Sequence, residues 1–356
     1  MESAKKHCKN KDIAIDGNDL QTEPVLLPGL PNHLASLCLA NLQPSLLYRV
    51  CISWRRFIYS PNFPPFYALY ALLAPTSPAP DSACQFHSAS FFCFDPVAWK
   101  WRSLPSPPTS GAPLCMLSRH PSYISRILPV QSITASGHLL LIAANTHNFL
   151  PALSHPLVFN PLSSKWSFGP PFTSPRRWCV TGSMDSSVYV ASGTGAQYQR
   201  DVARSLERWD MSKKEAEWMW ETRTACKDAK FSREAIEAIG YRGKLCMVNI
   251  KGRALKQGAV KLVDQETGSL SRYDPENDCW EEFVGPSNHL KGAQHISAGR
   301  GKVCAVSADG AKIYVVDVSA SAIARPPNFW ILEPPEGMEV IAVHILPRMS
   351  IHQSSC

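Results

Sequence analysis

The chain reads as a mainly β fold: a ring of repeated antiparallel units, a β-propeller of five or six blades, behind a small all-helical segment. Three observations predict it. Helical periodicity is confined to residues 28–60. After Pro65 short apolar runs alternate with turn residues, as in 66-FYALYALL-73, 90-SFFCFD-95, 139-LLLIAA-144 and 188-VYVASG-193, the pattern of closely spaced strands. Finally, Asp95-Pro96, Asn160-Pro161 and Asp274-Pro275 are each followed by a tryptophan six residues after the first residue, at Trp101, Trp166 and Trp280. Such self-similarity separates a repeat ring from a sandwich or barrel.

In chain order, residues 1–23 mix four lysines with five acids and carry almost no apolar periodicity, so a disordered tail is expected. Lys5, Lys6 and Lys9 could serve nuclear import, although a solvated tail accounts for them as well. Pro24 to Pro80 contains no Asp or Glu, while Arg49, Arg55 and Arg56 are present. Pro31 suits a helix start, and Leu34, Leu37, Cys38 and Leu42 then recur at three- and four-residue steps, one face of a helix. Gln43-Pro44 breaks that helix, with Ser45 a candidate cap for the next. Leu46, Leu47, Val50, Trp54, Phe57 and Ile58 form a second apolar face, ended by Pro61, Pro64 and Pro65. Two to three helices in so short a unit cannot bury all these side chains among themselves, so the segment needs a neighbour.

In the body, Asp/Asn-Pro opens each turn and the tryptophan on the returning strand packs between neighbouring sheets. A looser copy runs from Asp210 to Trp218 or Trp220, with Trp218 taken as the blade residue, and a last one ends at Trp330. Each is preceded by a tight turn into an apolar strand: 136-SGHLLLIAA-144, 184-MDSSVYVASG-193, 242-RGKLCMVN-249 and 300-RGKVCAVS-307. Glycine there supplies the positive φ of a two-residue hairpin turn. The final strand, 340-VIAVHIL-346, lacks a turn-and-tryptophan half, and the unit starting at Phe66 lacks an opening strand. The final strand is therefore expected to complete the first blade and close the ring. The boundaries that follow are a tail at 1–23, a helical domain at 24–62, the propeller at 63–347 and a tail at 348–356.

Leu30-Pro31, the apolar helix to Leu42, and Val50-Cys51-x-x-Trp54-Arg55 resemble an F-box, with Asn32 where an acid is usual and about one helical turn missing before Val50. The repeats resemble kelch blades, most fully in 175-PRRWCVTGSMDSSVYVASG-193. F-box followed by kelch propeller is the order of a large plant family, and 231-FSREAIEAIGYRGKLCMVN-249 is similar to its Skp-interacting members. This resemblance implies a non-catalytic subunit of an SCF-type (cullin–RING) ubiquitin ligase. Leu30, Pro31, Leu34, Leu37, Leu42, Leu46, Val50 and Trp54 would contact a Skp-family adaptor, and through it a cullin, while the propeller holds an unknown substrate protein.

Composition narrows the alternatives. A net charge of +7 with dispersed basic residues is mild, and no aromatic–basic interleaving points to nucleic acid. No apolar run approaches the roughly 18 residues that span a bilayer. Residues 1–23 hold no signal-peptide pattern. The twelve cysteines show no CxxC, and several, Cys38 and Cys246 among them, suit small buried apolar fillers in a reducing compartment, so the chain is expected in the cytoplasm, the nucleus or both. No metal site, cofactor or catalytic motif is expected. Arg176, Arg177, Arg200 and Arg204, at blade junctions, are candidate substrate contacts for carboxylate or phosphate. A kelch scaffold or propeller enzyme whose helices merely cap the ring is the competing reading. It predicts that the body unfolds without residues 1–60, whereas the ligase reading predicts that 61–356 fold alone.

Overall fold

The computed structural model describes residues 25–76, 86–88, 90–108, 115–117, 130–144, 150–151, 153–224, 236–241, 244–249, 253–256, 261–264, 266–274, 277, 279–293, 295–318 and 329–350. The expected N-terminal tail and its lysines lie outside these residues.

Five four-stranded antiparallel sheets form the blades. In order of pairing, blade 1 is Met338–Pro347, Tyr67–Pro75, Ser90–Asp95 and Lys100–Ser103. Blade 2 is Val130–Ala135, His138–Ala144, Leu157–Asn160 and Lys165–Phe168. Blade 3 is Val180–Met184, Ser187–Ala191, Leu206–Asp210 and Trp220–Thr222. Blade 4 is Arg253–Lys256, Lys261–Asp264, Leu270–Asp274 and Cys279–Val284. Blade 5 is His295–Gly299, Lys302–Val306, Ile313–Asp317 and Phe329–Leu332. The inner strand of blade 1 lies against those of blades 5 and 2, that of blade 2 against blade 3, and that of blade 4 against blade 5.

The ring closes as the sequence predicts. Met338–Pro347 pairs along its length with Tyr67–Pro75, from Tyr67 opposite Pro347 to Pro75 opposite Met338. Tyr70 donates its hydroxyl to the Pro347 carbonyl at 2.8 Å. One expectation is revised. The apolar strand Lys244–Asn249 does not share a sheet with Asp274 and Trp280. Ile236–Tyr241 and Lys244–Asn249 pair only with each other, and Ile236–Tyr241 packs on the inner strand of blade 3. Among the described residues the ring thus holds five full blades and one hairpin that lies, in chain order, between blades 3 and 4.

The long apolar runs arise because these strands are covered on both faces. With side chains alternating along a strand, Tyr70 and Leu72 of blade 1 join Leu139, Leu141 and Phe159 of blade 2, while Leu69, Ala71 and Leu73 join Cys304, Val306 and Ile313 of blade 5. Turn chemistry also follows the sequence. The Asp95 carboxylate accepts the N–H groups of Val97 and Ala98 at 2.9 and 3.0 Å, and the Asn160 side chain accepts those of Leu162 and Ser163 at 2.9 and 3.3 Å. Ser136-Gly137 and Arg300-Gly301 carry φ of 49° and 75°, and 49° and 73°, as a two-residue hairpin turn requires.

The tryptophans divide into two groups. Trp101 donates its indole N–H to the Glu333 carbonyl at 2.8 Å, and Trp166 to the Pro105 carbonyl at 2.8 Å. Each thereby ties its blade to the connection leaving the previous one. In blade 3 that part is played by Trp220, which reaches the Pro170 carbonyl at 3.1 Å and stacks on Phe172 with ring centroids 5.2 Å apart. Trp218 instead bonds within its own turn, to the Lys213 carbonyl at 3.0 Å, and packs edge-on to Trp209. Trp280 and Trp330 stand at the surface rather than between sheets, Trp330 beneath the Lys302 ammonium at 4.7 Å.

Candidate functional site

The helical segment comprises α1 (Asn32–Ala40), α2 (Pro44–Val50) and α3 (Ile52–Ile58). Pro31 occupies the N-cap of α1, and the Asn32 side chain accepts the Leu26 backbone N–H at 3.1 Å. Pro44 does not merely break the chain. It occupies the first turn of α2, where its missing N–H has no helical partner to lose, so Ser45 lies inside the helix instead of capping it. Cys51, extended at φ −154°, alone separates α2 from α3.

Leu39, Leu47, Phe57, Ile58, Tyr59 and Phe63 form the small core of this segment, completed by Trp54, Leu26, Leu27, Tyr48, Phe66 and Val97, and Ala35 is buried as well. The periodic leucines are on the other side. Leu34, Leu37, Leu42, Leu46 and Val50 are between 43% and 65% exposed, and Ile52 and Val25, absent from the expected set, are 65% and 64% exposed. An apolar surface of this kind on a folded chain marks a contact site. Arg49, Arg55 and Arg56 are exposed among these residues, with no acid between Pro24 and Pro80 to neutralise them.

The expected adaptor residues are therefore of two kinds. Leu34, Leu37, Leu42, Leu46 and Val50 share the exposed surface, with Pro31 also exposed at the head of α1. Leu30 is half-buried, and Trp54, also half-buried, works inside the segment by donating its indole N–H to the Leu26 carbonyl at 2.7 Å. Cys38, expected to be a buried filler, is exposed beside Leu37; Cys93, Cys179 and Cys304 are the buried cysteines among the described residues. Burial pushes Cys93 and Cys304 up to about 12. The side chain of Cys246 lies outside the described residues.

The core side of the segment is joined to blade 1. The Tyr59 hydroxyl donates to the Asp95 carboxylate, and burial followed by that bond raises the tyrosine pKa. Arg348, 2% exposed, donates to the Tyr59 and Ser60 carbonyls at 3.4 and 2.6 Å and lies over the rings of Tyr59 and Phe66. Burial lowers its pKa. The expected C-terminal tail thus begins later than 348: Arg348 is part of this junction, and the Ser350 N–H reaches the Pro161 carbonyl at 2.9 Å.

The blade 3 arginines separate likewise. Arg176 is 2% exposed and fully engaged inside the blade: it pairs with Glu207 at 2.9 Å and donates to the Ser205 hydroxyl at 2.5 Å and the Ser192 carbonyl at 3.3 Å. It is a structural ion pair and not a surface contact, which corrects its expected role. Arg177 is half-buried with its guanidinium 4.1 Å from the Trp178 ring centre. Arg200 and Arg204 bracket α4 (Arg200–Arg204), Arg200 exposed and Arg204 half-buried, with Val202 and Ala203 anchoring the turn. Among the described residues no cluster of His, Cys, Asp or Glu is arranged to hold a metal ion.

The F-box/kelch-repeat protein SKIP25 of Arabidopsis thaliana is 41% identical over 374 aligned positions, covering 94% of this chain and 92% of that protein. The chain belongs to the plant F-box/kelch-repeat proteins. The F-box protein AFR of the same plant is 24% identical over 196 positions, 51% of this chain and 46% of that protein. No protein-family model matches the chain. We read the helical segment as the F-box of this chain and the ring as its kelch propeller.

Proposed function

We propose that this protein is the substrate-recognition subunit of an SCF-type ubiquitin ligase. The F-box docks on a Skp-family adaptor, and through it a cullin, while the propeller holds a target protein for ubiquitination. The observation that carries the reading is the exposed set Leu34, Leu37, Leu42, Leu46, Val50 and Ile52. The junction with blade 1 uses the opposite side of the helices, so a capping role leaves these side chains without a purpose. Burying a side chain of this size contributes about 1.5–3 kcal/mol, and a few central ones dominate such a contact. Arg49, Arg55 and Arg56 suit an acidic partner.

The chain performs no covalent chemistry in this reading. It acts by proximity, holding a target lysine near a charged conjugating enzyme at high effective concentration. The adaptor and target meet it in the cytoplasm, the nucleus or both.

Pull-down of the full chain with a purified Skp-family adaptor tests the proposal. Wild type is retained, and Leu37→Asp/Leu46→Asp is not, although its thermal melt is unchanged. A wild type that fails to bind overturns the assignment. A truncation at residue 61 does not decide between ligase and scaffold: it removes Tyr59 and Ser60 from Arg348 and Asp95, and so disturbs the propeller under either reading.

A further inference from the structure

The F-box contacts one end of the propeller. Val97 and Asp95 belong to the turn between the outer strands of blade 1, and Arg348 and Phe66 flank the paired ends of its inner and second strands, where Pro347 lies opposite Tyr67. Inner strands of neighbouring blades begin at the same end. Gln131, near the start of blade 2, accepts the Cys179 N–H at 3.0 Å just before blade 3 begins, and Gly137 approaches Pro347 where the inner strands of blades 2 and 1 finish. Arg177 and Trp178, immediately before the inner strand of blade 3, therefore lie at the end away from the F-box.

Three observations single out this pair. Among the described residues the buried Nε and Nη1 of Arg177 have no hydrogen-bond partner, although buried donors are almost always satisfied. The buried carboxylate of the blade, Glu207, is already held by Arg176, and among the described residues no carboxylate forms an ion pair with Arg177. Its backbone is nonetheless fixed: N–H and carbonyl both pair with Thr194 at 2.9 Å, and Trp178 (φ 54°) and Ser192 (φ 58°) flank the bridge in the left-handed region that bulky residues avoid. A guanidinium held over an indole, desolvated, unanswered and set by strained backbone is preorganised for an oxyanion from outside.

We infer that Arg177, supported by Trp178, is an anion-reading subsite of the propeller that takes a carboxylate or phosphate borne on a peptide segment of the partner protein. Tyr198 and Arg200, both exposed on the facing loop, supply the adjoining surface. This rests on the reading of the propeller as the target-binding part.

The test uses the full chain on arrays of randomised decapeptides that are identical except for a central Glu, Gln or phosphoserine. Retention on the Glu or phosphoserine array at least tenfold above the Gln array is expected, the stronger of the two identifying the anion. Arg177→Ala abolishes that preference. Arg177→Lys keeps the charge but loses the planar fork, and lowers it severalfold; it serves alone if the alanine variant fails to fold. Trp178→Leu weakens it similarly. Equal signal on all three arrays, or an anion preference that survives in Arg177→Lys and Trp178→Leu at wild-type strength, overturns the subsite. Adaptor pull-down on the same preparations keeps the two proposals apart: all these variants still bind the adaptor if the F-box reading holds, whatever the arrays show.

Discussion

Between Pro31 and Ile58 six large aliphatic side chains stand at the surface, whereas Leu69, Leu72 and Leu73, a few residues later in blade 1, are each 6% exposed or less. The two stretches are similar in composition and differ in what surrounds them. The blade 1 strand has a sheet on either side, so both of its faces are covered and its run is continuously apolar. Among the described residues the F-box has a neighbour on one side only, where Tyr59, Phe63, Phe66 and Val97 meet blade 1. Its other side carries the exposed side chains that the proposed adaptor contact would cover. The sharpest way to break this comparison is to exchange the roles of two leucines in α1. Leu39→Ala, at 2% exposure, is expected to cost about 2–5 kcal/mol in a urea melt. Leu37→Ala, at 65% exposure, should stay within about 0.5 kcal/mol of wild type while weakening adaptor binding. Equal costs at the two positions would mean that the exposed face is part of the fold.

The junction between the two regions gives the next largest effect. Arg348 is contributed by the end of the chain and bonds carbonyls nearly three hundred residues earlier. Replacing it by alanine leaves those carbonyls without a charged donor in a buried setting, at about 1.5–3 kcal/mol per bond. Because the same side chain joins F-box to propeller, Arg348→Ala should also make the linker near Ser60 susceptible to limited proteolysis. A variant that melts and digests like wild type would show that the two parts are held together elsewhere.

These two regions were not equally legible in the sequence. Ring closure by 340–346 could be read because an unfinished last unit and an incomplete first one must complement each other. The side of α1 that faces inward could not, because Leu34, Leu37 and Leu42 and the pair Ala35 and Leu39 both recur at helical spacing, and only the position of blade 1 decides between them. The misassigned tryptophan had a local cause. The loose turn after Asp210 makes spacing ambiguous, and only the strand register, with Trp209 opposite Trp220, identifies the returning residue. A signal was present but unused: Trp101, Trp166 and Trp330 are each followed by a proline four residues on, at Pro105, Pro170 and Pro334, where the connections that receive the indole bonds begin. At blade 3 the adjacent arginines looked alike, yet Glu207 lies on a different strand and its partner is set by the fold.

Tryptophans sharpen the comparison at a smaller scale. Trp220→Phe keeps a ring against Phe172 but forfeits the bond to Pro170, and should lower stability by about 1–1.5 kcal/mol. Trp330→Phe, in an exposed position with Lys302 over the ring, should change it by about 0.5 kcal/mol or less. Equivalent losses would indicate that the outer face of blade 5 is covered in solution.

The smallest effect concerns thiols, and it again sets the open F-box against the closed ring. Cys38 and Cys51 are exposed on the helical segment, while Cys93 and Cys304 sit in blades 1 and 5 with their pKa values pushed up to about 12 by burial. Iodoacetamide at pH 8 should therefore label Cys38 and Cys51 readily and Cys93 and Cys304 only on unfolding, since the thiolate is the reactive species. The same shifts carry a stability consequence with a definite sign. In the unfolded chain these thiols ionise near 9, whereas in the ring they hold their protons to about 12, so the unfolded state binds fewer protons between those limits. Their contribution is complete below pH 9 and declines as pH rises through the folded value. The midpoint of a urea melt should thus fall between pH 9 and 11, and less so in Cys93→Ala/Cys304→Ala after allowance for the packing the double variant loses at neutral pH. An unchanged alkaline slope in that variant would assign the loss to other groups, beginning with Tyr59 at the junction, whose hydroxyl is likewise held protonated by burial and by Asp95.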